Sequence, residues 1–423
     1  MTRETNNNHH RRQKHMTKTI RPTLSRRKFV AAAGVGAASL AMPSVLRAQT
    51  PSIKVGVLHP VTGALAFSGN QARAGAVMAI EDINAAGGIR SMGGAKIEAL
   101  LADAQSQPQV GAAEVEKLNE AGVSAIIGPF ASGIALATTQ SAARHNIPHI
   151  VDVGVVDQIV QRNLTNVFRF APGFGQITSD AIANLEKIND AAGKPCKTVM
   201  IVHEDSAFGS GMARLLNTEL PKRGFQILET ISHPTPHRDF SNVVLRIRSK
   251  NPDIVIPANY FNEYVLFARA LRQQRVTPKA IYSVLGGAAS NFQFLKENSE
   301  AAQYIMDCNH WYDARKPGAL ELRKRAEAKN IAFTYEFFLD YSCVGLLADA
   351  LERARSADRA AINEALASST WEGHIMPYGP TRFVNGQNTG ARAMNTQILA
   401  DDIKVVYPPE FATAPVVFPR PRA

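Results

Sequence analysis

Residues able to do chemistry are plentiful in this chain, but their spacing forms no catalytic set. His203-Glu204 opens like the zinc motif of metalloproteases, which needs a second histidine one helical turn on. Ala207 and Phe208 occupy that stretch instead. His233 and His237 lie four apart, yet Pro234 and Pro236 between them forbid the helix that would align the two rings. Both are expected as exposed loop residues. No Gly-x-Ser-x-Gly elbow occurs to present a nucleophile, and no glycine-rich loop ends in Lys-Ser/Thr. Cys196, Cys308 and Cys343 stand at no metal-ligand spacing. One disulfide is open to them in an oxidising compartment, with one thiol left over; the simpler expectation is three small buried residues. The sequence therefore predicts no catalytic residue, no metal site and no cofactor.

Charge is concentrated at one end. The formal net charge is +11, but residues 1–48 hold ten Lys/Arg against one acid and carry +9 of it. A body near +2 offers no electrostatic footprint for nucleic acid, which is not expected as a partner. Within the basic segment, Arg26-Arg27-Lys28 precedes an apolar run from Val30 to Met42, then Pro43 and the small residue Ala48. A charged region, an apolar core and a processing site in that order make a secretory signal, and the paired arginines are of the twin-arginine type. The run of about 13 residues is short of the ~20 that span a bilayer. The predicted location is the periplasm, reached through a cleaved signal. Gly34-Val35-Gly36 starts like a dinucleotide fingerprint, but no strand precedes it and it lies in the segment expected to be removed.

Beyond residue 52, short β-rich runs alternate with amphipathic stretches. Strands are predicted at Ile53–Val57, Ile97–Leu101, Ser124–Gly128 and His149–Val153, and after Pro172 at Thr198–Val202, Ile254–Pro257 and Ala280–Val284. Helical faces lie between them, among them Val110/Ala113/Leu118/Ala121 and Tyr264/Phe267/Ala268/Leu271. Two such series in 423 residues imply two α/β lobes with parallel sheets. Ligands of open α/β sheets sit beyond the carboxyl ends of the strands. If the lobes face each other, those loops line one cleft that closes by a hinge.

At this point the chain resembles the periplasmic leucine/isoleucine/valine-binding proteins of ABC importers. The resemblance rests on Pro60-Val61-Thr62-Gly63, Ile80 to Ile89, Ala125 to Pro129, Val202 to Asp205 with Phe208-Gly209, and Asp239-Phe240-Ser241 with Pro252 to Val255. It implies a type I periplasmic-binding fold of two lobes joined by three crossings. Lobe one would take residues 52–171 and 310–380; lobe two would take 172–309 and 381–423, including a hairpin about Asp401-Asp402. It also implies a monomer that delivers a small molecule to membrane permease subunits.

The resemblance further implies a ligand site. Ser132 falls on the family's carboxylate-binding serine, beside Phe130 and Ala131, where a hydroxyl and amides at a helix start can hold an anion. A cap on its own helix is compatible with that role. Tyr260 matches a family tyrosine; Phe208, Phe67 and Val153 complete the expected lining. Two positions depart from the pattern. Leu285 stands where the family has the glutamate that holds the ligand's ammonium, and Val155 where it has a threonine. A buried ammonium without an anion costs several kcal/mol. The expected ligand is thus a carboxylate lacking an amine, aromatic or 2-oxo. Asp152 or Glu336 could each restore the missing acid and with it a branched-chain amino acid; otherwise they are a hydrogen-bonded loop acid and a helix-start acid. A ligand sensor and an exported enzyme on the same fold are the remaining alternatives.

Overall fold

A computed structural model describes residues 52–421, so the signal-type segment lies outside the described residues. Two seven-stranded sheets organise the chain, in the orders β11-β12-β5-β4-β3-β1-β2 and β14-β13-β10-β9-β8-β6-β7. The first contains β1 (Ile53–His59), β2 (Ile97–Asp103), β3 (Ala125–Ile127), β4 (His149–Val151), β5 (Val167–Arg169), β11 (Phe383–Val384) and β12 (Gln387–Asn388). The second contains β6 (Thr198–Glu204), β7 (Gln226–His233), β8 (Ile254–Ala258), β9 (Ala280–Val284), β10 (Met306–Asn309), β13 (Met394–Leu399) and β14 (Asp402–Tyr407). Pairing is parallel from β2 to β12 and from β7 to β10, with β11, β13 and β14 antiparallel at the ends. Val55, Val57, Ile126 and Ile127 are fully buried, as strands of covered parallel sheets should be.

Helices that matter to the site are α1 (Ala66–Ala85), α2 (Pro108–Glu120), α3 (Ser132–Ala143), α4 (Phe174–Ala191), α5 (Ala207–Glu219), α6 (Ser241–Lys250) and α7 (Phe261–Gln273). The short α8 (Phe292–Glu297) and α9 (Ser299–Ala302) follow, then α10 (Ala319–Ala328), α11 (Tyr335–Ala354) and α12 (Arg359–Ala367). Helix α11 returns to the first lobe and packs on α1. They approach backbone to backbone: a Cβ on Gly75 would stand 2.0 Å from the Phe337 carbonyl oxygen. The small residues Ala72, Gly75, Ala76 and Ala79 of α1 permit that approach, and all are buried.

The chain passes between the sheets three times, after β5, after β10 and after β12. Residues 381–388, placed in the second lobe by sequence, add the β11–β12 ribbon to the first sheet. Gln387 pairs with Arg169, and the Asn388 amide donates to the Phe170 carbonyl at 2.9 Å. The last crossing therefore follows Asn388. The buried face of α2 is also rotated from the one its periodicity suggests: Gly111, Val115 and Leu118 are buried, whereas Ala113 and Ala121 are exposed. Cys196, Cys308 and Cys343 are free and buried. No described helix is long and apolar enough to cross a membrane.

Candidate functional site

The carboxyl ends of strands from both sheets converge on one cavity. It is lined by Phe130, Ser132, Val153 and Val155 of lobe one with Tyr335 at the start of α11, and by Phe208, Asn259, Tyr260, Leu285 and Gly287 of lobe two. Its empty volume, which includes the open mouth, is about 350 Å³. Seven of the nine residues named from sequence thus surround one space. Phe67 and Ala131 are placed differently.

Ser132 is the first residue of α3, and it does not cap its own helix. Ala131 holds the cap position, and its carbonyl accepts the Ala135 N–H at 2.9 Å. The Ser132 Oγ instead accepts the Val155 N–H at 3.0 Å and, more weakly, the Val156 N–H at 3.4 Å. Those bonds occupy its lone pairs and leave the hydroxyl proton free to donate into the cavity. The first amides of α3 have no partner within the helix, and its dipole favours negative charge there.

The loop holding Val153 and Val155 is clamped from behind by Arg169, which is 2% exposed. Its guanidinium donates to the Val155 and Val156 carbonyls at 2.8 Å each, to Gln387 Oε1 at 2.7 Å and to Asp157 Oδ1 at 3.1 Å. This residue carries no signal in the sequence, because its partners lie 12 to 218 residues away.

On the facing lobe, buried Glu204 ends β6 and organises the start of α5. It accepts from the Ser206 N–H and hydroxyl at 2.7 Å each, and from the Gly209 N–H. Burial raises the Glu204 pKa, and the Ser206 bonds oppose that rise. The Ser206 hydroxyl in turn lies 3.4 Å from the Tyr260 hydroxyl. Tyr260 meets Phe208 at 5.5 Å and, across the lobes, Phe130 at 5.9 Å between ring centroids. Burial pushes the Tyr260 phenol far up, so it acts here as a neutral hydrogen-bonding group.

Asn259, Gly287 and Tyr335 are lining residues that sequence reasoning missed. The Asn259 amide, oriented to satisfy its surroundings, donates to the Val202 and Ala258 carbonyls at 3.1 Å and to His233 Nε2 at 3.2 Å. His233 is consequently buried at the end of β7, not exposed as expected. The half-buried ring of His237 lies 5.2 Å from it, and both pack on Phe240. A position directly after strand β8 was the available signal for Asn259. Tyr335 had none, since α11 reaches the site only through tertiary packing on α1 and on the first sheet. Leu285 adopts φ +54°, a left-handed conformation that costs a leucine about 1–2 kcal/mol. Such strain tends to be kept where function needs it.

Phe67 does not line the cavity. Its ring stacks on Phe261 of the opposite lobe, with centroids 3.8 Å apart and planes at 16°. Asn262 also reaches across, its amide donating to the Ala64 carbonyl at 3.4 Å. The two lobes are closed on each other at these contacts. Aromatic pairs contribute about 0.5–1.5 kcal/mol beyond area burial. Phe67→Ala is therefore expected to speed ligand release about 2- to 10-fold with little change in association. Stopped-flow fluorescence checks this, and an unchanged release rate would remove Phe67 from the closure.

Neither Asp152 nor Glu336 lines the cavity. Both are fully buried. Asp152 is pushed up to about 7 by burial and by the neighbouring Asp340. Glu336, in the first turn of α11, is raised by burial, with the Ser68 and Thr334 hydroxyls opposing. Among the lining residues there is no charged side chain. The arrangement can hold a small molecule with an apolar body and one anionic or polar end.

Comparison with known proteins places this geometry. A family model described as "Periplasmic binding protein" matches residues 52–400. "Leu/Ile/Val-binding protein homolog 7" of Brucella suis is 27% identical over 403 residues, covering 90% of this chain and 98% of that protein. Among solved structures, a leucine-binding protein from Thermotoga maritima superposes with TM-score 0.72 at 21% identity, over 84% of this chain and 97% of that one. A solute-binding protein from R. palustris, in complex with benzoate, superposes with TM-score 0.73 at 20% identity, over 87% and 98%. The streptococcal branched-chain amino-acid binding protein in complex with isoleucine does so with TM-score 0.70 at 22% identity, over 84% and 100%. The chain belongs to the periplasmic binding protein family, and its curated relatives are Leu/Ile/Val-binding protein homologues.

Proposed function

We propose that the chain captures a small organic carboxylate lacking an amine, an aromatic or 2-oxo acid, for delivery to the permease of an ABC importer. One observation carries this reading: ten residues line the cavity and none of them is charged. A carboxylate has donors waiting in the Ser132 hydroxyl and the first amides of α3. An ammonium would have no anion, because Leu285 stands at the position where the resemblance expects one. Phe130, Phe208, Tyr260 and Tyr335 provide flat apolar walls for a ring or a branched chain. The benzoate complex of the R. palustris protein supports an aromatic acid as a ligand compatible with this fold. The basic, signal-type segment before residue 49 supports delivery from the periplasm.

A second reading, a branched-chain amino acid, is favoured by the description of the Brucella relative and by the isoleucine complex. Titration calorimetry on refolded, ligand-free protein separates the two. Benzoate or 4-methyl-2-oxopentanoate is expected to bind at micromolar or tighter Kd, and leucine and valine at least 100-fold more weakly. Tight leucine or valine binding, with none of the acids, would overturn the proposal. Recovery of the ligand unchanged after prolonged incubation distinguishes capture from catalysis.

A further inference from the structure

Behind the ligand loops of lobe one, three residues from distant parts of the chain meet. His59 closes β1, Asp152 follows β4, and Asp340 lies on α11. Each is 0% exposed. One donor atom from each lies within 4.8 Å of the others. The His59 Nε2 and Asp340 Oδ2 are already 3.0 Å apart, close to the spacing of neighbouring donors around a first-row dication. No side chain donates to Asp152, whose carboxylate is met only by the backbone N–H groups of Val153 and of Asp152 itself, and Asp340 Oδ1 and His59 Nδ1 have no hydrogen-bond partner. Buried carboxylate oxygens are rarely left so.

Gly128 passes beside the histidine, and a Cβ there would stand 2.9 Å from His59 Nε2 and 2.4 Å from the Leu58 carbonyl oxygen. Arg73, whose charge acts on His59, is directed elsewhere and donates to the Ala102 carbonyl at 2.5 Å. It does not neutralise the two acids.

We propose that His59, Asp152 and Asp340 bind one divalent cation of the zinc or manganese class. One imidazole and two carboxylates form a donor set suited to such ions, and the charges balance: two carboxylates, one neutral histidine and a dication sum to zero. Asp152 directly precedes Val153, and Asp340 shares a helix with Tyr335. The ion would therefore tie together two elements that line the cavity and the end of β1. This site is independent of which ligand the cavity takes.

Full-chain protein is dialysed against chelator and titrated calorimetrically with zinc chloride and, separately, with manganese chloride. One site per chain is expected beyond any weak uptake by the histidines of the basic N-terminal segment. That site is lost in Asp152→Asn and His59→Gln and weakened at least about 100-fold in Asp340→Asn. The metal also raises the Tm of the parent protein and not that of Asp152→Asn, a readout that tail histidines would not move. Circular dichroism and cooperative melting establish that each variant is folded. Equal uptake by the parent and folded Asp152→Asn, or no metal-dependent rise in Tm, overturns the proposal.

Discussion

Arg169→Met is expected to cost the protein about 3–5 kcal/mol of stability, the usual penalty for breaking a buried charged network by removing one partner. The side chain is almost wholly buried and donates to four acceptors on two segments, the 155–157 loop and Gln387. Methionine fills similar volume but satisfies none of them, leaving two loop carbonyls and Gln387 without their donor. Total stability of about 5–15 kcal/mol makes this a large share. The loop bearing Val155 is released at the same time, so ligand affinity should fall by more than tenfold. Arg169→Lys should recover only part of either effect, since one ammonium cannot reproduce a fork that reaches three directions. Urea unfolding followed by fluorescence, paired with calorimetric titration, reads both quantities. A stability change below about 1 kcal/mol would mean that the clamp is replaceable by water.

Leu285→Glu is expected to exchange the ligand class. Leu285 lines the cavity and is 6% exposed. Its backbone bond, from its N–H to the Cys308 carbonyl at 3.0 Å, survives the substitution. A carboxylate at this position faces a ligand anion across a dry space, and like charges in such a setting cost several kcal/mol. Affinity for an amine-free acid should fall by at least about 100-fold, roughly 2.7 kcal/mol. Leucine or valine should gain affinity, because the ammonium then has its partner. The new glutamate is desolvated, so its own pKa will be raised. Amino-acid binding should therefore strengthen as pH rises through that value, and the acid ligands should weaken over the same range. Titration of both ligand types at two pH values measures this. Unchanged acid affinity would place Leu285 away from the bound ligand.

Local chemistry explains why much of this was legible in one dimension. The strands that anchor the site, such as β1, β6 and β8, announce themselves as short β-rich runs. The loop after each strand is where an α/β sheet binds, and the resemblance to a known family picked Ser132, Val153, Val155, Phe208, Tyr260 and Leu285 out of those loops before any coordinates. Strand β5, the ribbon at 383–388 and helix α11 were not legible. The first two are two or three residues long and owe their form to a neighbour already in the sheet. Helix α11 is buried along most of its length, so hydrophobic positions do not mark one face.

Sequence by itself determined the lobe pattern, the charge division at residue 49 and the chemical character of the strand-end loops, because each depends on residues close together in the chain. Only the tertiary structure decided what those loops meet. Lobe closure set Phe67 against Phe261 and took it out of the cavity lining, and the packing of α11 on α1 brought in Tyr335. The same packing sets His59 beside Asp340, 281 residues later, in a chain whose histidine and cysteine spacings predicted no metal site. The physical reason is one of range: hydrophobic periodicity and turn preference act over a few residues, whereas a buried polar cluster exists only once separate elements have excluded water from between them.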